Sequence, residues 1–165
     1  MARLTLLCKL ILITHLKMKK NIFFILLTVI QLSAVAQSSD RKEILKVAHQ
    51  FFEALEKQDT ATFSKIMVKN SFNCIVIDRK DSARIFNRPS SSFNLKPENI
   101  VKERMREEQI KIEMHKRIAT VWAPYDLWIN DKFSHCGVDV FIMLKGNNGW
   151  KIGTISFSIE REGCN

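Results

Sequence analysis

Residues 1–36 contain no acidic side chain, against five basic ones: Arg3, Lys9, Lys17, Lys19 and Lys20. That asymmetry accounts for most of the chain's basic character. Of 26 basic residues, 21 remain beyond residue 36 against 17 acidic ones, a net charge of only +4. A nucleic-acid partner therefore loses its main support, and the charged stretch 102–117 mixes both signs, as a solvated surface does. Glycine is scarce, five in 165 residues, and none builds a glycine-rich phosphate loop. There is no Ser-His-Asp order and no paired catalytic carboxylates. No Cys-x-x-Cys or Cys/His spacing marks a zinc site, and no repeat or low-complexity tail divides the chain. Neither a metal nor a cofactor is expected.

What is present begins with a leader. Lys19 and Lys20 precede the apolar run 22–30, and Ser33, Ala34, Val35 and Ala36 follow, the order of a secretory signal peptide with cleavage after Ala36. Residues 1–17 already hold one apolar run and Met18 restarts the pattern, so Met18 is expected to be the true start. The run 23–36 is shorter than the ~20 residues of a membrane-spanning helix, so no stable membrane anchor is expected. Cys8 follows the bulky Leu7, where a lipoprotein signal wants a small residue. The expected destination is periplasmic or extracellular, where disulfides persist. Beyond the leader stand Cys74, Cys136 and Cys164, an odd number that allows one internal pair at most. Residues 37–165 then suffice for a single domain, and the 46% hydrophobic content supplies its core.

Ser38, Ser39 and Asp40 followed by Glu43 resemble a capping box, and Ile44, Val47, Ala48, Phe51 and Leu55 recur at helical spacing. A helix is expected over residues 40–57, with Phe52 at the edge of its apolar face and His49 in water. A second helix is expected over 61–68, stopped near Asn70, then a strand within 71–78. Pro89 and three serines mark 79–95 as a long loop, with a short strand at 84–86. Pro97 is expected to open a third helix through "PENIVKERMREE".

The last third reads as strands joined by tight turns. A turn at His115-Lys116 pairs Ile112 with Ala119 and Ile110 with Val121. A turn at Asn130-Asp131 pairs Val121 with Val140 and Tyr125 with Cys136, and one at Asn147-Asn148 pairs Val140 with Ile155 and Val138 with Phe157. Trp150 is expected to anchor the end of the last hairpin. One apolar face then holds Val121, Ala123, Tyr125, Cys136, Val138 and Val140. Trp122, Asp126, His135, Asp139 and Phe141 point away from it, with Ser156 and Ser158. Asp126 falls opposite His135, which raises an Asp-His acid/base pair against a polar outer face that meets a partner. A bulge where Pro124 meets Gly137 would turn Asp126 and His135 inward. Cys136 is either a buried thiol or, if the tail folds back, the disulfide mate of Cys164.

The residues "RIATVWAPYDLWINDKFSHCGVDVFIMLKGNNGWKIGTISFSIEREGC" resemble the C-terminal half of the nuclear transport factor 2-like superfamily. The resemblance is to its small exported bacterial members, filed as lumazine-binding or SnoaL-like proteins, and extends over about residues 40–164. It implies an α+β cone-shaped roll, N-terminal helices packed on a strongly curved, mixed, mainly antiparallel sheet with a pocket between them. It also implies a homodimer formed through the sheet. Isomerase-type members carry a tyrosine on the first helix, where this chain has Phe51 and Phe52, so a ready oxyanion donor is missing. The expected function is binding of a small apolar ligand, or an accessory role, without demonstrable catalysis. Tyr125, Trp122 and Phe52 are the expected ligand contacts. The alternatives are a cofactor-free lyase or isomerase acting on a hydrophobic cyclic substrate through His135 with Asp126 or Asp139, and a structural interaction module.

Overall fold

The computed structural model describes residues 37–90 and 98–164. The expected leader, its cleavage site, the start at Met18 and the helix-opening role of Pro97 lie outside the described residues. The chain divides into two units, residues 1–40 and 41–165. In the first, residues 37–40 are helical; the second holds the remaining helical residues and the sheet.

Helix α1 covers residues 41–57. Ile44, Val47, Ala48, Phe51 and Leu55 are all buried, as their spacing predicts, and Phe52 is buried with them at 5% exposure. His49 lies at the surface, 3.6 Å from a Glu107 carboxylate oxygen. Gln58 takes a left-handed backbone (φ +54°) and ends the helix. Asp59 then caps α2, Thr60–Ile66, by accepting the Thr62 N–H at 3.0 Å. This helix stops earlier than expected, because Met67 is extended and the Val68 N–H donates to the Ile152 carbonyl of the sheet.

Among the described residues seven strands follow: β1 Phe72–Arg79, β2 Ser82–Pro89, β3 Val101–Met105, β4 Lys111–His115, β5 Ile118–Ile129, β6 Lys132–Gly146 and β7 Gly149–Ile159. Their order is β2-β1-β7-β6-β5-β3, with β4 also on β5. Only β1 and β7 run parallel. The sheet is therefore mixed and mainly antiparallel, and with the helices packed on one face of it the fold is α+β, as expected. Phe51 and Phe52 of α1 stack edge-on against Phe141 at 5.4 and 5.8 Å, and Trp150, Ile152 and Ile155 complete the same core.

Two stretches differ from expectation in kind. Residues 101–105 form strand β3, not a helix, and residues 82–89 form a full strand, not a loop with a short strand in it. Lys, Glu, Arg and Met favour helix in isolation. Here the ladder to residues 125–129 of β5 prevails, held at its end by Asn130, whose backbone N–H donates to the Ile100 carbonyl and whose side-chain oxygen accepts the Ile100 N–H.

The register departs from expectation in ways that decide which side chains face the helices. The β4–β5 turn lies at Lys116-Arg117, pairing Ile112 with Val121 and Met114 with Ala119. That is a shift of two residues, which preserves the face. His115 pairs with Ile118 at the strand end. The Asn130-Asp131 turn is as expected, with φ of +51° and +61°. Just past it, however, Trp128 pairs with Phe133 while Leu127 pairs with His135, so Ser134 is an extra residue. Pro124 and Gly137, where a bulge would have turned Asp126 and His135 inward together, sit in regular ladder, opposite Val138 and Tyr125 respectively. The Pro124 carbonyl accepts from the Arg106 N–H, so its ring nitrogen also points to the β3–β4 side and no bond to β6 is lost.

The Ser134 bulge inverts β6 from His135 onward. Asp139, Phe141 and Met143 turn inward, while Val138, Val140 and Ile142 turn outward, opposite to the expected rows. A second bulge pairs Met143 with Ile152 but Ile142 with Thr154, so Gly153 is extra. It brings Ile155 and Phe157 back to the inner face, as expected, now opposite Phe141 and Asp139. Both bulges also sharpen the local twist and help to curve the sheet.

Candidate functional site

Inside the curve, at the end of the sheet where β3, β5, β6 and β7 meet under α1, lies a cavity of about 190 Å³. Its apolar wall is Phe51 and Leu55 of α1 with Val101, Leu127, Phe157 and Ile159; its polar groups are Arg88, Glu103, Tyr125, His135 and Asp139. Each arrives by strand parity. Glu103 is the central inward residue of β3, Tyr125 stands on β5, and His135 and Asp139 face in because of the Ser134 bulge.

Glu103 and Asp139 are both buried, and their carboxyls hydrogen-bond to each other. Burial and then the neighbouring Asp139 push Glu103 well above the usual carboxylate range. Burial likewise raises Asp139, to about 8, with the Glu103 hydrogen bond opposing. Burial thus favours the protonated form of both carboxyls. Asp139 Oδ2 has no hydrogen-bond partner.

Tyr125 is 1% exposed, and its hydroxyl donates to the Ser158 carbonyl at 2.7 Å. Burial and the nearby Glu103, Asp139 and Glu160 carboxyls raise its pKa, so the phenol keeps its proton. Gly137 makes that reach possible. A Cβ there would stand 2.2 Å from the Ser158 carbonyl oxygen and 2.9 Å from the Tyr125 ring. Burial and then Arg161 lower the pKa of His135. Its Nδ1 lies 3.0 Å from the Ser134 hydroxyl and its ring meets Tyr125 edge-on at 5.9 Å. His135 and Asp139 are four residues apart on one strand, about 13 Å along it, and the influences on His135 do not include Asp139.

Three of the site residues expected from sequence thus meet in the cavity: His135, Asp139 and Tyr125. Asp126 does not join them. It points outward, opposite Cys136, and forms a two-pronged pair with Arg106 at 2.6 and 3.0 Å, so the Asp126–His135 pair is absent. Trp122 also lies on the outer face, 47% exposed, opposite Val140 of β6. Phe52 is core, and its neighbour Phe51 lines the cavity instead. Glu103 and Arg88 were missed because their segments were read as helix and loop; the alternation of "VKERM" was the available signal for Glu103. Among the described residues no cluster of three or more acidic, histidine or cysteine side chains could hold a metal. Cys136 faces away from the cavity and is bonded to Cys164, with Cα atoms 5.7 Å apart, while Cys136 and Glu160 exchange backbone hydrogen bonds.

No family model matches the sequence, and no curated protein does. Solved structures do match. A cystatin-like-fold protein from Novosphingobium aromaticivorans, described as nuclear transport factor 2-like, superposes with a TM-score of 0.62 at 10% identity, over 80% of this chain and 88% of its own. A nuclear transport factor 2-like superfamily protein from Salmonella enterica gives 0.61 at 12% identity, over 78% and 96%. The chain has the nuclear transport factor 2-like fold. A further protein of this fold, of unknown function and from Shewanella baltica, gives 0.53 at 16% identity over 76% and 97%. At such identities the nuclear transport factor 2-like likeness speaks for architecture, and the chemistry rests on the cavity itself.

Proposed function

We propose that the chain is an exported domain that binds one small, largely apolar ligand between α1 and the sheet, without a catalytic step of its own. The observation that carries this reading is the cavity of about 190 Å³ itself, enclosed by Phe51, Leu55, Leu127 and Phe157 with the buried Asp139 on its wall, whose Oδ2 has no hydrogen-bond partner. Such an atom costs about 1–3 kcal/mol, which a ligand hydrogen bond offsets. The volume favours one ring with short substituents: a cavity of roughly 150 Å³ holds a benzene molecule. Ligand-observed NMR with single-ring compounds, read against Val101→Phe to fill the cavity, tests the proposal. Binding to the wild type and its loss in the variant are expected. Equal response of the two proteins, or no binding to either, overturns the reading.

A cofactor-free acid/base enzyme is the second reading. Asp139, held as an acid to about 8, shares a cavity with His135, whose pKa is lowered. Tyr125 already spends its hydrogen on Ser158, which leaves the site short of an oxyanion donor. Solvent deuterium exchange into cyclic ketones by the wild type, lost in Asp139→Asn, would promote this reading over the first.

Export is supported by the Cys136–Cys164 disulfide, which suits an oxidising compartment. Its check is an intact mass that begins at Gln37. A homodimer through the outer sheet face is supported by the exposed Trp122 and Ile85 beside Val138 and Val140, an apolar centre depleted of charge. Sedimentation that shows a monomer at high concentration would refute it.

A further inference from the structure

The small-ligand reading leaves the chemistry of the ligand open, and the carboxyl pair narrows it. Glu103 and Asp139 are influenced by burial and by each other. The other titratable groups on the cavity wall are Arg88 from β2, Tyr125 from β5 and His135 from β6; Glu160 and Arg161, past the end of β7, act on Tyr125 and His135 without lining the cavity, and α1 supplies only Phe51 and Leu55. Tyr125 donates to Ser158, and His135 is held below its usual range. Two carboxyls in hydrogen-bond contact in an apolar cavity have two ways to avoid mutual repulsion. They keep their protons, or they take a cation. The aromatic side chains of Phe51, Tyr125 and Phe157 around them suit the second, because ring faces attract an alkylammonium.

We propose that the cavity takes a small organic ammonium ion, whose N–H donates to the unpartnered Asp139 Oδ2 while its apolar body lies against Phe51, Leu55 and Phe157. The proposal rests on the small-ligand reading above. The balance is simple: the ammonium enters with its charge, the Asp139 O–H bond breaks, one proton leaves to solvent, and a carboxylate–ammonium pair remains. Benzyl alcohol, of the same shape, would take a hydrogen bond from the neutral acid and release no proton. Benzoate would need Arg88.

Isothermal titration of the mature protein with benzylamine, benzyl alcohol and benzoate between about pH 6 and pH 8, in buffers of different ionisation heat, tests this. Benzylamine should bind best, release close to one proton near neutral pH, and gain about tenfold in affinity per pH unit below about 8, then level off. Asp139→Asn should remove both the proton release and the preference for benzylamine while still binding benzyl alcohol. Glu103→Gln, which keeps Asp139, should retain the preference and serves if the first variant does not fold. Benzyl alcohol or benzoate binding as tightly as benzylamine, or benzylamine binding without pH dependence, overturns the cationic ligand and leaves the small-ligand reading intact. Failure of all three probes together with the NMR compounds overturns both.

Discussion

Tyr125, Gly137 and Ser158 form a three-residue arrangement in which one side chain depends on the absence of another. The phenol lies over Gly137 to reach a carbonyl on β7, and the Val138 N–H bonds to the Ser158 hydroxyl at 3.0 Å. Gly137→Ala would drive its methyl group into backbone, which cannot rotate away. We expect a loss of about 2–4 kcal/mol in urea unfolding, at the severe end for single substitutions. Asp139 carries a different signature. Its folded pKa of about 8 lies above its unfolded value of ~3.9, so the folded state binds the extra proton between these limits. Stability from this source is full below about pH 4 and is lost as pH rises through about 8. Glu103, also raised, acts in the same direction. The unfolding midpoint should fall from pH 5 to pH 8, and Asp139→Asn should flatten that fall. A midpoint that rises over this window in the wild type would contradict the protonated pair.

At the scale of elements, the Ser134 bulge decides what reaches the cavity. Deletion of Ser134 removes the unpaired residue and leaves Leu127 opposite His135 and Tyr125 opposite Gly137, so the inner row survives. We expect a folded protein with a loss under about 2 kcal/mol. Deletion of Val138 should instead turn Phe141 and Met143 outward and abolish folding. Circular dichroism of the two deletions separates the cases. The Asn130-Asp131 turn was legible because its residue types tolerate the left-handed backbone they take, and the Asn147-Asn148 turn because asparagine favours turns, the left-handed residue there being Gly149 (φ +93°). The bulges were not: a serine gives no sign that it is the extra residue, and of the strand glycines Gly137 sits in regular ladder while Gly153 is the extra one, so one miscounted position reverses every side chain beyond it. His135 and Asp139 were thus found as candidates and placed on the wrong face. Glu103 was hidden differently, in a segment whose local helix preference is overridden by a partner strand that sequence periodicity alone does not reveal.

For the molecule as a whole, the Cys136–Cys164 bond ties the tail to the back of the strand whose front carries the cavity, closing a loop of 28 residues. Chain-entropy arguments put such a loop at about 3–4 kcal/mol. Cys164→Ser should cost up to that amount in denaturant unfolding, while Cys74→Ser, at the free thiol on β1, should cost much less.

The strand order β2-β1-β7 also sets an order of events. Phe72 and Thr154, joined by a hydrogen bond between β1 and β7, lie 82 residues apart. The β4 to β7 meander can assemble from neighbours, but the β1–β2 hairpin, made first on any growing chain, has to wait for β7. Until then one edge of "FNCIVID" stands open, an apolar template for pairing with other chains. The edge most open to other chains is therefore one that the folded state closes, and it closes only when the last strand arrives.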